Sequence, residues 1–269
     1  MIELKDVRKS YNGKVIFEDV TLKLEDGTVT AFVGHNGCGK STMLKVVSGL
    51  ARKDRGEIIY ERKYRFSYVP EKFPAINMTA GTYLNYMARM DGIYSKADRM
   101  DRIHALAGDF FVESMLDKPM KNLSKGSLQK IGVIQAILSS PEVLLLDEPL
   151  SGQDADSRDI FIQKIRNLKQ QGTIILLSAH EPELVHSLGD RVYTIYERRI
   201  LQYENKPQTT YVIWMPEDRS RTPLEEMKKT GNGYYVYSDE RTLSLDINRL
   251  QKEGWHIGKV YEDRKHDGV

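Results

Sequence analysis

The chain has 269 residues, is 40% hydrophobic and 29% charged, and its 40 Lys and Arg against 38 Asp and Glu leave a formal charge of +2. That length holds one large domain, or one plus a small appendage, with enough chain to bury a sizeable core. The near-neutral balance excludes a strongly basic nucleic-acid coat and an acidic tail protein, the composition is not that of a disordered chain, and a single cysteine excludes a disulfide framework or Cys-rich metal site and makes a reducing compartment the default.

Residues 2–7 alternate apolar and polar, as a half-buried strand does and a secretory signal does not. Residues 28–33 read as a short strand that stops at Gly34. Residues 41–50 carry Met43, Leu44, Val46 and Val47 in helical rhythm. Residues 79–93, 97–111 and 127–138 also have helical spacing, so 72–140 is expected to be a helical insertion. Residues 142–146 and 173–177 are continuous apolar runs, typical of buried parallel strands, and the stretch 157–170 between them is helical. These runs fall far short of the roughly 18 residues a spanning helix needs, so a cytosolic protein is expected unless a partner fixes it to a membrane. Strand–helix–strand alternation predicts an α/β parallel sheet.

The pattern changes after Asn205-Lys206-Pro207. Residues 209–215, 234–238 and 256–261 read as strands. Thr222-Pro223-Leu224-Glu225 reads as a helix start, with Gly231 ending that helix. Residues 206–269 carry 11 Lys/Arg against 11 Asp/Glu and are expected to form a small α/β accessory domain.

Gly34-His35-Asn36-Gly37-Cys38-Gly39-Lys40-Ser41 matches G-x-x-x-x-G-K-[ST], and Thr42 follows. The motif lies after a predicted strand and opens a predicted helix. Its glycines let successive N–H groups face an anion, and the helix adds its positive end. Asn36, Gly37, Cys38, Gly39 and Thr42 belong to this cradle, Lys40 would reach the β- and γ-phosphates, and Ser41 would hold Mg2+. The apolar run ending in Asp147 and Glu148 supplies a carboxylate beside the metal and a second acid to polarise water. Together these residues predict nucleotide hydrolysis without saying which machine uses it.

Leu123-Ser124-Lys125-Gly126-Ser127 resembles the signature, usually LSGGQ, of the ATP-binding cassette (ABC) family, and Asp147 follows Ser124 by 23 positions, as in that family. Ser151-Gly152-Gln153-Asp154 resembles its D-loop and Ser178-Ala179-His180 its switch histidine. Tyr11, with Val15 beside it, resembles its adenine-stacking A-loop, and Tyr68-Val69-Pro70-Glu71 occupies its Q-loop. The resemblance covers residues 1–205. It implies an ABC-type P-loop ATPase with a RecA-like parallel-sheet core, an antiparallel β subdomain and the helical subdomain, followed by the accessory domain. It implies ATP and Mg2+, with Ser41, Glu71 and Asp147 at the metal. Glu148 would be the base or water orienter, and His180 would bind the γ-phosphate and hold Glu148, with Lys40 and Glu71 beside them. Two copies, or one copy and a related subunit, would meet head to tail, Ser124, Gly126 and Asp154 of one completing the site of the other.

Two departures stand out. Glu71 replaces the usual Gln, and Lys125 and Ser127 replace Gly and Gln of the signature. The resemblance implies a transporter subunit at the inner face of the membrane, held by a separate transmembrane permease, with export favoured by those departures. Residues 71–86, rich in Phe73, Pro74, Ile76, Met78 and Tyr83, are the expected permease contact, with packing inside the helical insertion as the alternative. A soluble ABC-type regulator acting on ribosomes or DNA is the alternative function. Near-neutral charge weakens nucleic-acid binding, and no nucleic-acid partner is expected. A small-molecule kinase would share the cradle but has no use for the signature.

Overall fold

The N-terminal alternation runs on to Tyr11 in the computed structural model, which describes residues 1–150, 154–202, 210–218, 220, 223–224, 227–239 and 243–262. Strand β1 (Ile2–Tyr11) turns at Asn12-Gly13, both at positive φ (49° and 77°), into β2 (Lys14–Leu24). This two-residue turn matches the right-handed twist of its strands. Then come β3 (Val29–Val33), α1 (Lys40–Val47), β4 (Arg55–Tyr60) and β5 (Phe66–Val69). The helical insertion supplies α2 (Ala80–Met90), α3 (Lys96–Asp109) and α4 (Lys125–Leu138). The chain continues through β6 (Val143–Asp147), α5 (Ala155–Gln170), β7 (Ile174–Ser178), α6 (Pro182–Leu188), β8 (Arg191–Tyr196) and β9 (Arg199–Gln202).

By Cα packing the chain divides into two compact units, Met1–Glu204 and Asn205–Val269. Among the described residues of the first, β2-β1-β4 form an antiparallel sheet and β5-β6-β7-β3-β8-β9 a second sheet, parallel except for the edge strand β9. The parallel sheet is covered on both sides, which explains its continuous apolar runs. Along β6 and β7, Leu144, Leu146, Ile175 and Leu177 enter the core shared with the helical insertion. Val143, Leu145, Ile174 and Leu176 enter the core shared with α1, β1 and β2. All eight side chains are fully buried, each worth roughly 1.5–3 kcal/mol.

Helix starts follow side-chain caps. The hydroxyls of Thr79, Ser95 and Ser124 and the carboxylate of Asp154 each accept from the N–H three residues on. The cap at Ser124 explains why α4 begins at Lys125, two residues before the expected start. Strands β2, β4, β5, β8 and β9 and helix α6 add to the sequence expectation. The β8–β9 turn is Glu197-Arg198, both at positive φ, and carries none of the usual turn residues.

The second unit contains β10 (Thr210–Pro216), β11 (Lys228–Thr230), β12 (Gly233–Asp239), α7 (Leu243–Lys252) and β13 (Lys259–Glu262). Its antiparallel sheet has the order β11-β12-β10-β13, with a core of Ile213, Met215, Val236, Leu250 and Trp255. The helix expected to run to Gly231 is not formed at its C-terminal end. Residues 228–230 are a strand paired with Gly233 to Tyr235, and Gly231, at φ 48°, serves the turn between strands. Thr222 and Glu225, the expected cap and third helical residue, lie outside the described residues.

Candidate functional site

The cradle joins β3 to α1 at the C-terminal edge of the parallel sheet, where open α/β sheets bind ligands. A bulge shapes its neighbour. The pairing of β1 with β2 shifts between Lys9–Phe17 and Ser10–Val15, leaving Ile16 as the extra residue. Such a bulge re-aims a side chain. A Cβ on Gly39, which sits at φ 120°, would meet Ile16 Cγ2 at 2.6 Å, so only glycine fits beneath it. Ile16, Asn36, Gly37, Gly39, Lys40, Ser41, Thr42, Glu71 and Glu148 line a cavity of about 260 Å³. Val15 and Cys38, both expected at the nucleotide, are not part of this lining.

Parallel pairing of β6 with β7 puts Asp147 opposite Ser178. Asp147 Oδ1 accepts from Ser178 Oγ at 2.6 Å and Ser41 Oγ at 2.9 Å, and Oδ2 accepts from the Tyr68 phenol at 3.0 Å. Burial, then the Asp147 charge, pushes the Tyr68 phenol pKa up. Ser178 and Tyr68 are partners of Asp147 that motif reading overlooks, because neither is the named residue of its segment. Gln129 of α4 donates from Nε2 to the Pro70 carbonyl at 2.9 Å, tying the segment that carries Glu71 to the helical insertion.

Glu148 follows the strand at φ 49°, a conformation non-glycine residues rarely adopt, and its N–H donates to the Ser178 carbonyl at 3.1 Å. Its Oε1 lies 3.0 Å from His180 Nε2 and 3.7 Å from Lys40 Nζ, and has no aligned hydrogen-bond partner among the described residues. Burial raises the Glu148 pKa, outweighing the opposing charges of His180 and Lys40 and reinforced by Asp147 and Glu181. Lys40 Nζ also donates to the Gly34 carbonyl at 2.8 Å and stands 3.1 Å from His180 Nε2. Asn36 Oδ1 is 2.6 Å from that same ring nitrogen. One nitrogen cannot both accept from Lys40 and donate to Asn36 or Glu148, so its proton decides which pair forms.

Three expected nucleotide contacts lie elsewhere. Ser124 Oγ caps α4, with Gly126 in that helix's first turn, and neither lines the cavity. Asp154 caps α5 and pairs with Lys130 at 2.8 Å; that ion pair and Ser157 hold its carboxyl well below the usual range. Residues 151–153 of the expected D-loop lie outside the described residues. Tyr11 stands at the β1–β2 hairpin tip, 46% exposed. Phe73, Ile76, Met78 and Tyr83 are partly buried and pack against the core that the helical insertion shares with the parallel sheet.

A family model for ABC transporters matches residues 17–151. The zinc import ATP-binding protein ZnuC of Halorhodospira halophila is 33% identical over 201 residues, which make up 74% of this chain and 75% of the relative. A solved ATP-binding subunit of an ABC transporter superposes with a TM-score of 0.71 at 28% identity, over 76% of this chain and 90% of that one. A dimeric ATP-binding cassette captured after hydrolysis with ADP and Pi shares the fold, with a TM-score of 0.69 at 20% identity over 77% and 99% of the two chains. With its cradle, paired acids and histidine gathered at one sheet edge, the chain belongs to the ABC transporter family as an ATP-binding subunit, an ATPase.

Proposed function

We propose that the chain binds MgATP in the cavity between the cradle and the β6–β7 edge and hydrolyses it, within a head-to-tail pair of cassettes, to drive transport by a separate membrane subunit. The observation that carries this reading is Glu148: a half-buried carboxylate of raised pKa, with Lys40 and His180 beside it. Its carboxylate orients the attacking water and takes its proton, and a raised pKa makes it the stronger base. In this reading His180 Nε2 donates to that carboxylate before nucleotide arrives and to the γ-phosphate once it is bound. Lys40 compensates charge on the β- and γ-phosphates, the main demand of phosphoryl transfer. Tyr11, reaching out from the hairpin tip, stacks on the base.

The donor set fits Mg2+. Ser41 and Glu71 offer hard oxygens to the cavity and Asp147, which is not part of its lining, stands behind Ser41 at 2.9 Å, whereas no group of three or more His, Cys, Asp or Glu suited to a metal occurs among the described residues. Mg2+ is commonly held by one or two carboxylates plus phosphates and water, and when bound it neutralises phosphate charge. Ser124 and Gly126 do not line their own chain's cavity, which supports a second cassette supplying them. Transport by a separate transmembrane permease, with this chain at the inner face of the membrane, extends the family assignment. The export direction expected from Glu71 and the altered signature gains no support from the relative, which is named for zinc import.

Glu148→Gln tests the chemistry: ATP binding should persist while turnover falls at least about 100-fold, the scale of losing a positioned base. Near-normal turnover would remove the assignment. Co-purification from detergent-solubilised membranes tests the partner. A stoichiometric integral membrane protein supports transport; recovery with ribosomes or nucleic acid instead would replace it by the regulatory alternative.

A further inference from the structure

The hairpin tip carries an arrangement that nucleotide hydrolysis leaves unused. Asp54 lies just before β4, and its two oxygens serve neighbouring residues of β1. Oδ2 accepts from both the N–H and the hydroxyl of Ser10, each at 2.5 Å, and Oδ1 lies 3.7 Å from Lys9 Nζ. The N–H of Asp54 donates to the Arg8 carbonyl at 2.8 Å. Lys9 is only 7% exposed, rare for a lysine, and its amine sits over the Tyr11 ring, 4.3 Å from the centroid. Residues 9 and 11 share one face of the strand, so a cation anchored by Asp54 occupies one side of an aromatic ring that remains half-exposed. A latch serving the sheet alone would need Arg8 and Ser10; it has no use for an amine buried against an exposed ring.

We propose that Asp54 and Lys9 are positioning residues that pre-set the Tyr11 ring as the stacking surface for the nucleotide's base. The inference rests on the assignment of Tyr11 to the base. An exposed tyrosine at a hairpin tip loses rotamer freedom when a ligand stacks on it. Here the cation–π contact spends that entropy before the ligand arrives. Asp54 contributes by holding both the amine and the backbone on which the ring is mounted.

Calorimetric titration of the full chain with ADP and with inorganic pyrophosphate separates the base from the phosphates, and neither ligand is turned over by phosphate release from a triphosphate. Tyr11→Ala should weaken ADP about tenfold and leave pyrophosphate within about twofold, on the scale of one base–aromatic stack. Lys9→Met, which keeps the stem, and Asp54→Asn should each weaken ADP by about three- to tenfold with pyrophosphate unchanged. Tyr11→Ala combined with Asp54→Asn should be no worse than Tyr11→Ala alone, because both act through one contact. The proposal is overturned if Lys9→Met and Asp54→Asn keep the wild-type ratio of the two affinities while Tyr11→Ala changes it. It is equally overturned if they weaken both ligands alike, which marks a general distortion. An unchanged ratio in Tyr11→Ala itself removes the base-stacking assignment and the clamp with it.

Discussion

Replacing Gly132 with alanine sets two effects of known size against each other. Gly132 lies within α4, where alanine is favoured over glycine by about 1 kcal/mol. A Cβ there would stand 2.4 Å from Phe73 Cδ2 and 2.8 and 2.9 Å from two further ring atoms. The ring meets Tyr83 edge-on, with centroids 5.9 Å apart, so retreat disturbs a second aromatic contact. Overpacking of this kind costs about 1–3 kcal/mol, which leaves a net destabilisation of about 0–2 kcal/mol. Phe73 lies two residues beyond Glu71, so turnover should fall more than nucleotide affinity. Urea denaturation of Gly132→Ala, Phe73→Ala and the double variant reads the stability effect. Alanine at position 73 removes all three clashing ring atoms, so the double variant should be more stable than the sum of the singles by about 0.5–3 kcal/mol. Additivity within about 0.5 kcal/mol would refute the steric account.

Lys40→Ala should weaken ATP binding about 30-fold or more, the scale of truncating one partner of a buried charge pair; unchanged affinity in a fluorescence titration would count against the cradle. Tyr68→Phe removes one of three donors to Asp147 and should lower stability by about 1.5 kcal/mol at constant m-value, and a loss below about 0.5 kcal/mol would show that the phenol contributes little. Glu148 has a folded pKa above its unfolded value of about 4.3, so the folded state binds the extra proton and wild type loses stability as pH rises through that window. Glutamine does not titrate; Glu148→Gln should therefore gain in melting temperature relative to wild type as pH rises through the window, and hold a constant lead above it. A difference that is flat from acid to neutral pH would contradict the raised pKa.

The cradle and paired acids were legible because their chemistry demands fixed residues at fixed spacing: Gly39, Lys40, Ser41, Asp147 and Glu148 meet in the structure as the motifs require. The central strands were legible because burial on both faces leaves only apolar residues, as in Val143 to Leu146. Strands β8 and β9 escaped notice because Glu197-Arg198 turns the chain without glycine or asparagine. The β1–β2 hairpin was within reach, since Asn12-Gly13 is a strong turn signal, and with it the bulge that brings Ile16 rather than Val15 to the cavity could have been sought. Lys228–Thr230 defeated local reading because these residues pair with β12 where the sequence pattern continues a helix. Tyr68 and Ser178 had no motif of their own; only the folded carboxylate at Asp147 reveals them.

The cradle strand also sets an order of events during synthesis. β3 pairs on one side with Ile175 to Ser178 and on the other with Arg191 to Thr194. When residues 29–33 leave the ribosome, both sets of pairing partners are still untranslated, and its two edges have no sheet to join. Contacts of such long separation must close a large loop before they return any stability, which slows folding and lengthens the exposure of strand edges prone to aggregation. The bond between Asn36 and His180, which spans 144 positions, forms only once this closure is complete. Nucleotide capture is therefore a property of the finished cassette alone, and a nascent or truncated chain ending before residue 174 should be a client for chaperones rather than a weak ATPase.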